Sequence, residues 1–226
     1  MIRVEHLSYN FGRNWAVKDV SFTVEKGEFV FLTGASGAGK TTLLRLLYGA
    51  LPVNRGLARV AGFTLNRLKR RSLPDLRRNV GVVFQDFKIL ARRTVFDNVA
   101  LALEVRGMPR QVRERRVRAI LRALGLEHKS YSRCEHLSGG EQQRVAIARS
   151  MVGQPSLILA DEPTGNLDLE LSLHLMGVFK QFNDFGATIL MATHNRDVLR
   201  SVPEARVIRL KEGRMEEGTA TTEALS

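Results

Sequence analysis

Short, nearly unbroken apolar runs recur along the chain: Phe29–Leu32, Val80–Phe84, Leu157–Ala160 and Ala187–Ala192. Their length and lack of polar alternation predict strands buried on both faces of a sheet. Further strands are predicted at Arg3–Ser8, Val20–Val24, Arg59–Phe63 and Arg206–Leu210, with a turn at Lys26-Gly27. Between them lie stretches of helical character, Leu43–Tyr48, Val95–Val105, Arg110–Leu124, Gly139–Met151, Leu169–Phe182 and Arg196–Ser201. Strands alternating with helices argue for an α/β fold with a parallel core, and the helical block from 94 to 150 reads as an insertion. The polar, small residues 217–226 are expected to fray.

The run at Phe29–Leu32 enters Gly34-Ala35-Ser36-Gly37-Ala38-Gly39-Lys40-Thr41-Thr42 and then a helix. Strand, glycine-rich loop and helix are the context in which GxxxxGK[ST] carries meaning. The glycines let successive N–H groups turn inward, and the helix adds its positive dipole end, so the concavity suits a polyphosphate. Lys40 is expected to reach the outer phosphates and Thr41 to ligate Mg²⁺. An ordinary Gly-rich turn is the plainer alternative, disfavoured by the flanking strand and helix.

A second station follows the run Leu157–Ala160, where Asp161 and Glu162 fall at the C-terminal tip of a strand. Ligands of open α/β sheets bind at that edge. Asp161 is expected to hold Mg²⁺ and Glu162 to orient and deprotonate the water that attacks the γ-phosphate. A third station is Leu137-Ser138-Gly139-Gly140-Glu141-Gln142-Gln143-Arg144. Ser138 and Glu141 have capping-box spacing, so the motif starts a helix whatever else it does. Such a start, with glycines beside the cap, also offers bare N–H groups to an anion.

Together these motifs resemble those of an ATP-binding cassette (ABC) ATPase, over essentially the whole chain. The resemblance implies a phosphate-loop NTPase parallel-sheet core with an N-terminal antiparallel β subdomain and an inserted α-helical subdomain. Residues 1–85 and 155–217 would form the nucleotide-binding core, and about 86–154 the helical unit. It also implies roles for residues that would otherwise be ordinary. Gln85 matches the loop glutamine that senses Mg²⁺ and the γ-phosphate. Asp168, in Gly165–Asp168, matches the loop that crosses a dimer interface, and His194 matches the switch histidine that holds the γ-phosphate and the attacking water. Phe11 sits where an aromatic stacks on adenine, with Tyr9 as its neighbouring candidate. Asn195 departs from the aspartate that often follows the histidine. The family arrangement is a head-to-tail homodimer in which Ser138, Gly139 and Gly140 of one chain face nucleotide bound by Lys40 and Thr41 of the other. Within the family, Gly81–Leu90 and Arg93–Val99 are most similar to the bacterial cell-division branch. That branch implies an integral membrane partner, divisome proteins, control of cell-wall hydrolases and a peripheral position on the cytoplasmic side of the cell membrane. The ATPases of lipoprotein-release and macrolide-export systems are the alternative.

Composition narrows the remaining choices. With 226 residues, 44% hydrophobic and 26% charged, the chain suits one substantial core, and its apolar runs are far shorter than a membrane span. Met1–Ser8 lacks a signal-peptide layout, which predicts retention where the chain is made. One cysteine, Cys134, excludes an internal disulfide and is expected to be an incidental thiol. A net charge of +12 is concentrated in Arg67–Arg71 with Arg77 and Arg78, and in Arg106–Arg118. A solvated helix face is the default reading of the second stretch, and attraction to an anionic bilayer is the sharper one. Nucleic acid is not an expected partner, because cassettes acting on it carry long coiled coils or two cassettes in one chain, and neither is present.

Overall fold

The computed structural model describes residues 1–84, 86–165 and 167–216, and the backbone of 220–221. In chain order the elements are β1 (Ile2–Phe11), β2 (Asn14–Val24), β3 (Phe29–Thr33), α1 (Lys40–Leu47), β4 (Arg55–Val60), β5 (Phe63–Thr64), α2 (Leu73–Asn79), β6 (Val80–Val83), α3 (Val95–Glu104), α4 (Arg110–Ala123), α5 (Gly139–Met151), β7 (Leu157–Asp161), α6 (Leu169–Asp184), β8 (Thr188–Ala192), α7 (Arg196–Arg200), β9 (Arg206–Lys211), β10 (Arg214–Met215) and β11 (Ala220–Thr221).

A parallel sheet in the order β9-β3-β8-β7-β6 forms the centre, and β10 and β11 both pair antiparallel with β9. A second, antiparallel sheet has the order β2-β1-β4-β5. The unbroken apolar runs are explained by burial on both sides. Phe29 and Phe31 of β3 join the core shared with α3, α4, α5 and α6, while Val30 and Leu32 join the core shared with α1 and the antiparallel sheet. Because the central strands are parallel, the loops after β3, β7 and β8 leave from one edge. Leu32 lies beside Ala192, and Ala192 beside Asp161.

The antiparallel sheet differs from the sequence reading. The strand expected at Val20–Val24 begins at Asn14, because Tyr9–Phe11 turn at Gly12 (φ 58°) and pair back onto Asn14, Trp15 and Val17. The expected strand Arg59–Phe63 is a hairpin whose Ala61 and Gly62 have φ of 48° and 85°. A two-residue turn with both central residues at positive φ matches the twist of the flanking strands. The first central helix starts at Lys40 rather than Leu43, and α2 lies outside the helices that the sequence predicts. Of the tail expected to fray, Ala220 and Thr221 pair with Val207 and Arg206, and the rest lies outside the described residues. No helix among the described residues is long and apolar enough to cross a membrane.

Candidate functional site

The phosphate loop is held in shape by close backbone approaches that require glycine at two positions. Gly39 has φ of 104°, and a Cβ there would lie 2.2 Å from the Ala16 carbonyl oxygen. Gly34 has φ of 144°, and its Cβ would lie 2.2 Å from the Leu210 carbonyl oxygen. L side chains are disfavoured at both angles, so backbone conformation and space point to the same residue. The loop is tied to the β2 and β9–β10 segments by Gly213 N donating to Ala38 O at 3.1 Å and Lys18 N donating to Gly213 O at 2.7 Å. Lys40 is 8% exposed, and its Nζ donates to Gly34 O at 2.7 Å and Ala35 O at 3.1 Å. Its ammonium therefore lies folded over the loop it would share with a phosphate.

Ser36 to Thr42, with Ala16, Asp161, Glu162 and His194, line one cleft of about 290 Å³. The phosphate loop, both acids and the histidine are thus brought together. Asp161 is 8% exposed, and burial raises its pKa, offset in part by the Thr41 hydroxyl and by Lys40 and Arg45. Its Oδ1 is buried without a hydrogen-bond partner. A desolvated carboxylate with a free oxygen, beside a threonine hydroxyl, is a donor set that suits a hard divalent cation completing its shell with phosphate and water.

Glu162 leaves β7 with φ of 48°, an uncommon conformation for a side chain of its size. Three contacts hold it there. Its N–H donates to Ala192 O at 2.9 Å, Gly165 N donates to its carbonyl at 3.2 Å, and Gln143 Nε2 donates to its carbonyl at 3.4 Å and also to that of Pro163. The turn directs the carboxylate sideways, and Glu162 Oε1 lies 2.7 Å from His194 Nδ1. The adjacent Asn195 does not take part; its side chain accepts from Asp197 N at 2.9 Å and Val198 N at 3.3 Å and so caps α7. Asparagine serves that role as well as aspartate would.

Other expected residues are not in this cleft. Ser138 caps α5 in a complete capping box, with Ser138 Oγ accepting from Glu141 N at 3.2 Å and Glu141 Oε2 accepting from Ser138 N at 2.8 Å. That N–H bond holds the Glu141 carboxyl below its usual pKa. A Cβ at Gly139 would meet nothing within 4 Å, so this helix start is open. At Gly140 a Cβ would lie 2.9 Å from Leu167 Cδ2. The motif and the loop that carries Asp168 therefore pack together within the chain, and Asp168 Oδ1 accepts from Leu171 N at 2.8 Å to cap α6. Phe11 is 52% exposed and packs edge-to-face on Tyr9 at 5.0 Å between centroids. Gln85 lies outside the described residues. Its neighbours Phe84 and Asp86 line a hollow of about 130 Å³ that shares Thr41 and Asp161 with the phosphate cleft.

Two contributors escaped the sequence reading. Ala16 supplies only a backbone carbonyl and a lining methyl, for which no local signal exists. Gln143 lies inside the motif at 137–143, but its hold on the Glu162 turn depends on the fold placing α5 beside the segment that follows β7.

The chain is similar to known proteins along most of its length. The ABC transporter family model matches residues 17–165. The chain is 48% identical over 200 residues to the cell division ATP-binding protein FtsE of Streptococcus pneumoniae, covering 88% of this chain and 86% of that one. It is 46% identical over 217 residues to the FtsE protein of Mycobacterium tuberculosis, covering 95% and 94% of the two chains. A dimeric ATP-binding cassette solved in a post-hydrolysis state with ADP and Pi is similar in fold, with a TM-score of 0.90 and 32% identity over 98% of this chain and 99% of that one.

Proposed function

The chain belongs to the ABC transporter family, as an FtsE-like ATPase, and from that premise we propose that it actuates a membrane partner by ATP-driven closure of a homodimer. By kinship with FtsE, the partner is FtsX and the output is control of cell-wall hydrolysis in division, with the divisome as its wider setting. The protein then lies peripherally on the cytoplasmic side of the cell membrane. The observation that carries the chemical reading is the pairing of Glu162 with His194, 2.7 Å apart, in the cleft lined by the phosphate loop.

In this reading the N–H groups of Gly34 to Thr42 cradle the phosphates, and Lys40 exchanges its loop carbonyls for phosphate oxygens. Thr41, Asp161 and Gln85 are the residues that would hold Mg²⁺, which when bound supplies charge neutralisation at the phosphates. Glu162 accepts the proton of the attacking water, and His194 orients both the carboxylate and the water. Phe11 stacks on adenine. The open α5 start at Ser138, Gly139 and Gly140 faces the nucleotide of the second copy, with Asp168 beside it. Residues 1–85 and 155–217 act as the nucleotide-binding core, and about 86–154 as the unit that moves. The step is in-line phosphoryl transfer to water, driven by positioning and charge stabilisation.

Movement needs an outlet. A groove of about 910 Å³ between α2, β6 and α3, with an apolar floor that includes Leu73, Val82 and Leu101, adjoins the segment after residue 85. We assign it to a segment of the membrane partner.

Glu162→Gln tests the chemical reading, because the amide keeps the shape but cannot take a proton. ATP binding should persist while phosphate release falls by roughly 10²- to 10⁴-fold, the usual worth of a general base. Size-exclusion chromatography with ATP should then show an accumulated dimer. Undiminished phosphate release would remove Glu162 from its role.

A further inference from the structure

Two basic segments far apart in sequence meet on one face of the fold. Arg70, Arg77 and Arg78, from the region of α2, line the same groove as Arg106, which follows α3. The Arg106 guanidinium donates to the carbonyls of Gly153 and Arg78, so it is anchored by backbone rather than by an acid. Burial lowers its pKa, and Arg116 and Arg78 lower it further, which brings α4 into the same cluster of like charge.

Three arginines of α4 are neutralised locally, Arg110 by Glu114, Arg113 by Glu104 and Arg122 by Glu127. Arg115, Arg116 and Arg118 form no such ion pair among the described residues, although Arg118 is near enough to Glu127 to help Arg122 hold that carboxyl below its usual pKa, and none of the three lines the groove. The positive charge therefore extends beyond any groove-bound segment, along a 14-residue helix that spans about 21 Å. Val105, which lines the groove next to Arg106, is 64% exposed. Charge spread over a face, held on flexible side chains and bordered by an exposed apolar residue, matches a surface of many mobile anions better than one peptide. Among the described residues, none of the exposed aromatics, Phe11, Trp15, Tyr131 and Phe185, lines the groove with these arginines to stack on bases.

We infer that the face of α4 that carries Arg115, Arg116 and Arg118 docks on the anionic phospholipid headgroups of a bilayer. The contact is independent of the groove occupant and of ATP hydrolysis.

Full-length protein, without any membrane partner, should co-sediment with vesicles of 30% phosphatidylglycerol in phosphatidylcholine at low salt. It should bind pure phosphatidylcholine poorly and leave the anionic vesicles at high salt. Each arginine near the surface is worth about a fivefold change in partitioning, so Arg115→Gln, Arg116→Gln and Arg118→Gln together should weaken binding about a hundredfold. Glutamine is a good helix former, and an unchanged melting temperature and phosphate-release rate would establish that the variant folds. A control removes three exposed cations elsewhere, with Lys26→Gln, Arg59→Gln and Arg200→Gln, and should weaken binding far less. Equal loss in both triple variants would overturn the inference in favour of net charge alone. Unchanged binding of the α4 variant would overturn it, as would tighter binding to a DNA duplex than to the anionic vesicles.

Discussion

Asp161→Asn should stabilise the nucleotide-free protein while abolishing its response to Mg²⁺ and ATP. The carboxylate is 8% exposed and one of its oxygens is buried without a partner. Asparagine has nearly the same volume, can still accept from Thr41, and removes the buried charge. The amide still leaves a polar atom in the unpartnered place, so the gain is the relief of the charge, since an unsatisfied buried group costs about 1–3 kcal/mol and more when charged. Lys40 and Arg45 offset part of this in place, so a gain of about 1 kcal/mol is expected, or about 2–4 °C in Tm for a chain of this size. The pH dependence has a definite sign. Burial raises the folded-state pKa above the unfolded one, so between the two values the native state holds more protons than the unfolded state. Stability from this group therefore falls as pH rises through that window, and its cost is complete above the folded pKa. The advantage of the variant should be largest above the folded-state pKa and shrink as pH falls through it. Calorimetry in EDTA from pH 4 to 8 measures it. Adding Mg²⁺ and ATP at a hundred times the dissociation constant should reverse the order, because ligand binding stabilises the wild type by about 2.7 kcal/mol. A variant less stable than wild type at pH 8 in EDTA, or an advantage that grows in acid, would refute the account of Asp161 as a desolvated cation ligand.

Gly39→Ala should destabilise the fold by more than about 2 kcal/mol and weaken ATP binding at least about tenfold, since left-handed strain of 1–2 kcal/mol adds to the clash with Ala16. Gly37→Ala, at φ of 78° with nothing within 4 Å of its Cβ, should cost only the strain, and urea unfolding with nucleotide titration compares the two. Burial pushes the Cys134 thiol up to about 11, so a thiol reagent at pH 8 should label it only after unfolding; rapid labelling of native protein would contradict this.

The parts of the fold legible in the sequence are those whose cause is local. Runs such as Phe29–Leu32 and Leu157–Ala160 name their own strands because both faces are buried, and Ser138 with Glu141 names a helix start because the capping bonds span only three residues. The antiparallel sheet has a non-local cause. Trp15 to Lys18 has no distinctive pattern, and its strand exists because β1 pairs with it across the Gly12 turn. The Ala61-Gly62 turn was hidden for the same reason, within what looked like one strand.

The candidate site divides along the same line. The residue types of the phosphate loop, the two acids and the capping motif are legible in the sequence, because each lies within a few residues of one strand end or one helix start. Tertiary structure alone decided that Glu162 turns at φ of 48° to meet His194, and that Ala16 and Leu210 press on the loop so that only glycine fits. It also decided that arginines from two distant segments converge around Arg106. These contacts join strands and loops distant in sequence, and their geometry comes from the register of the parallel sheet and the packing around it, which no local pattern encodes.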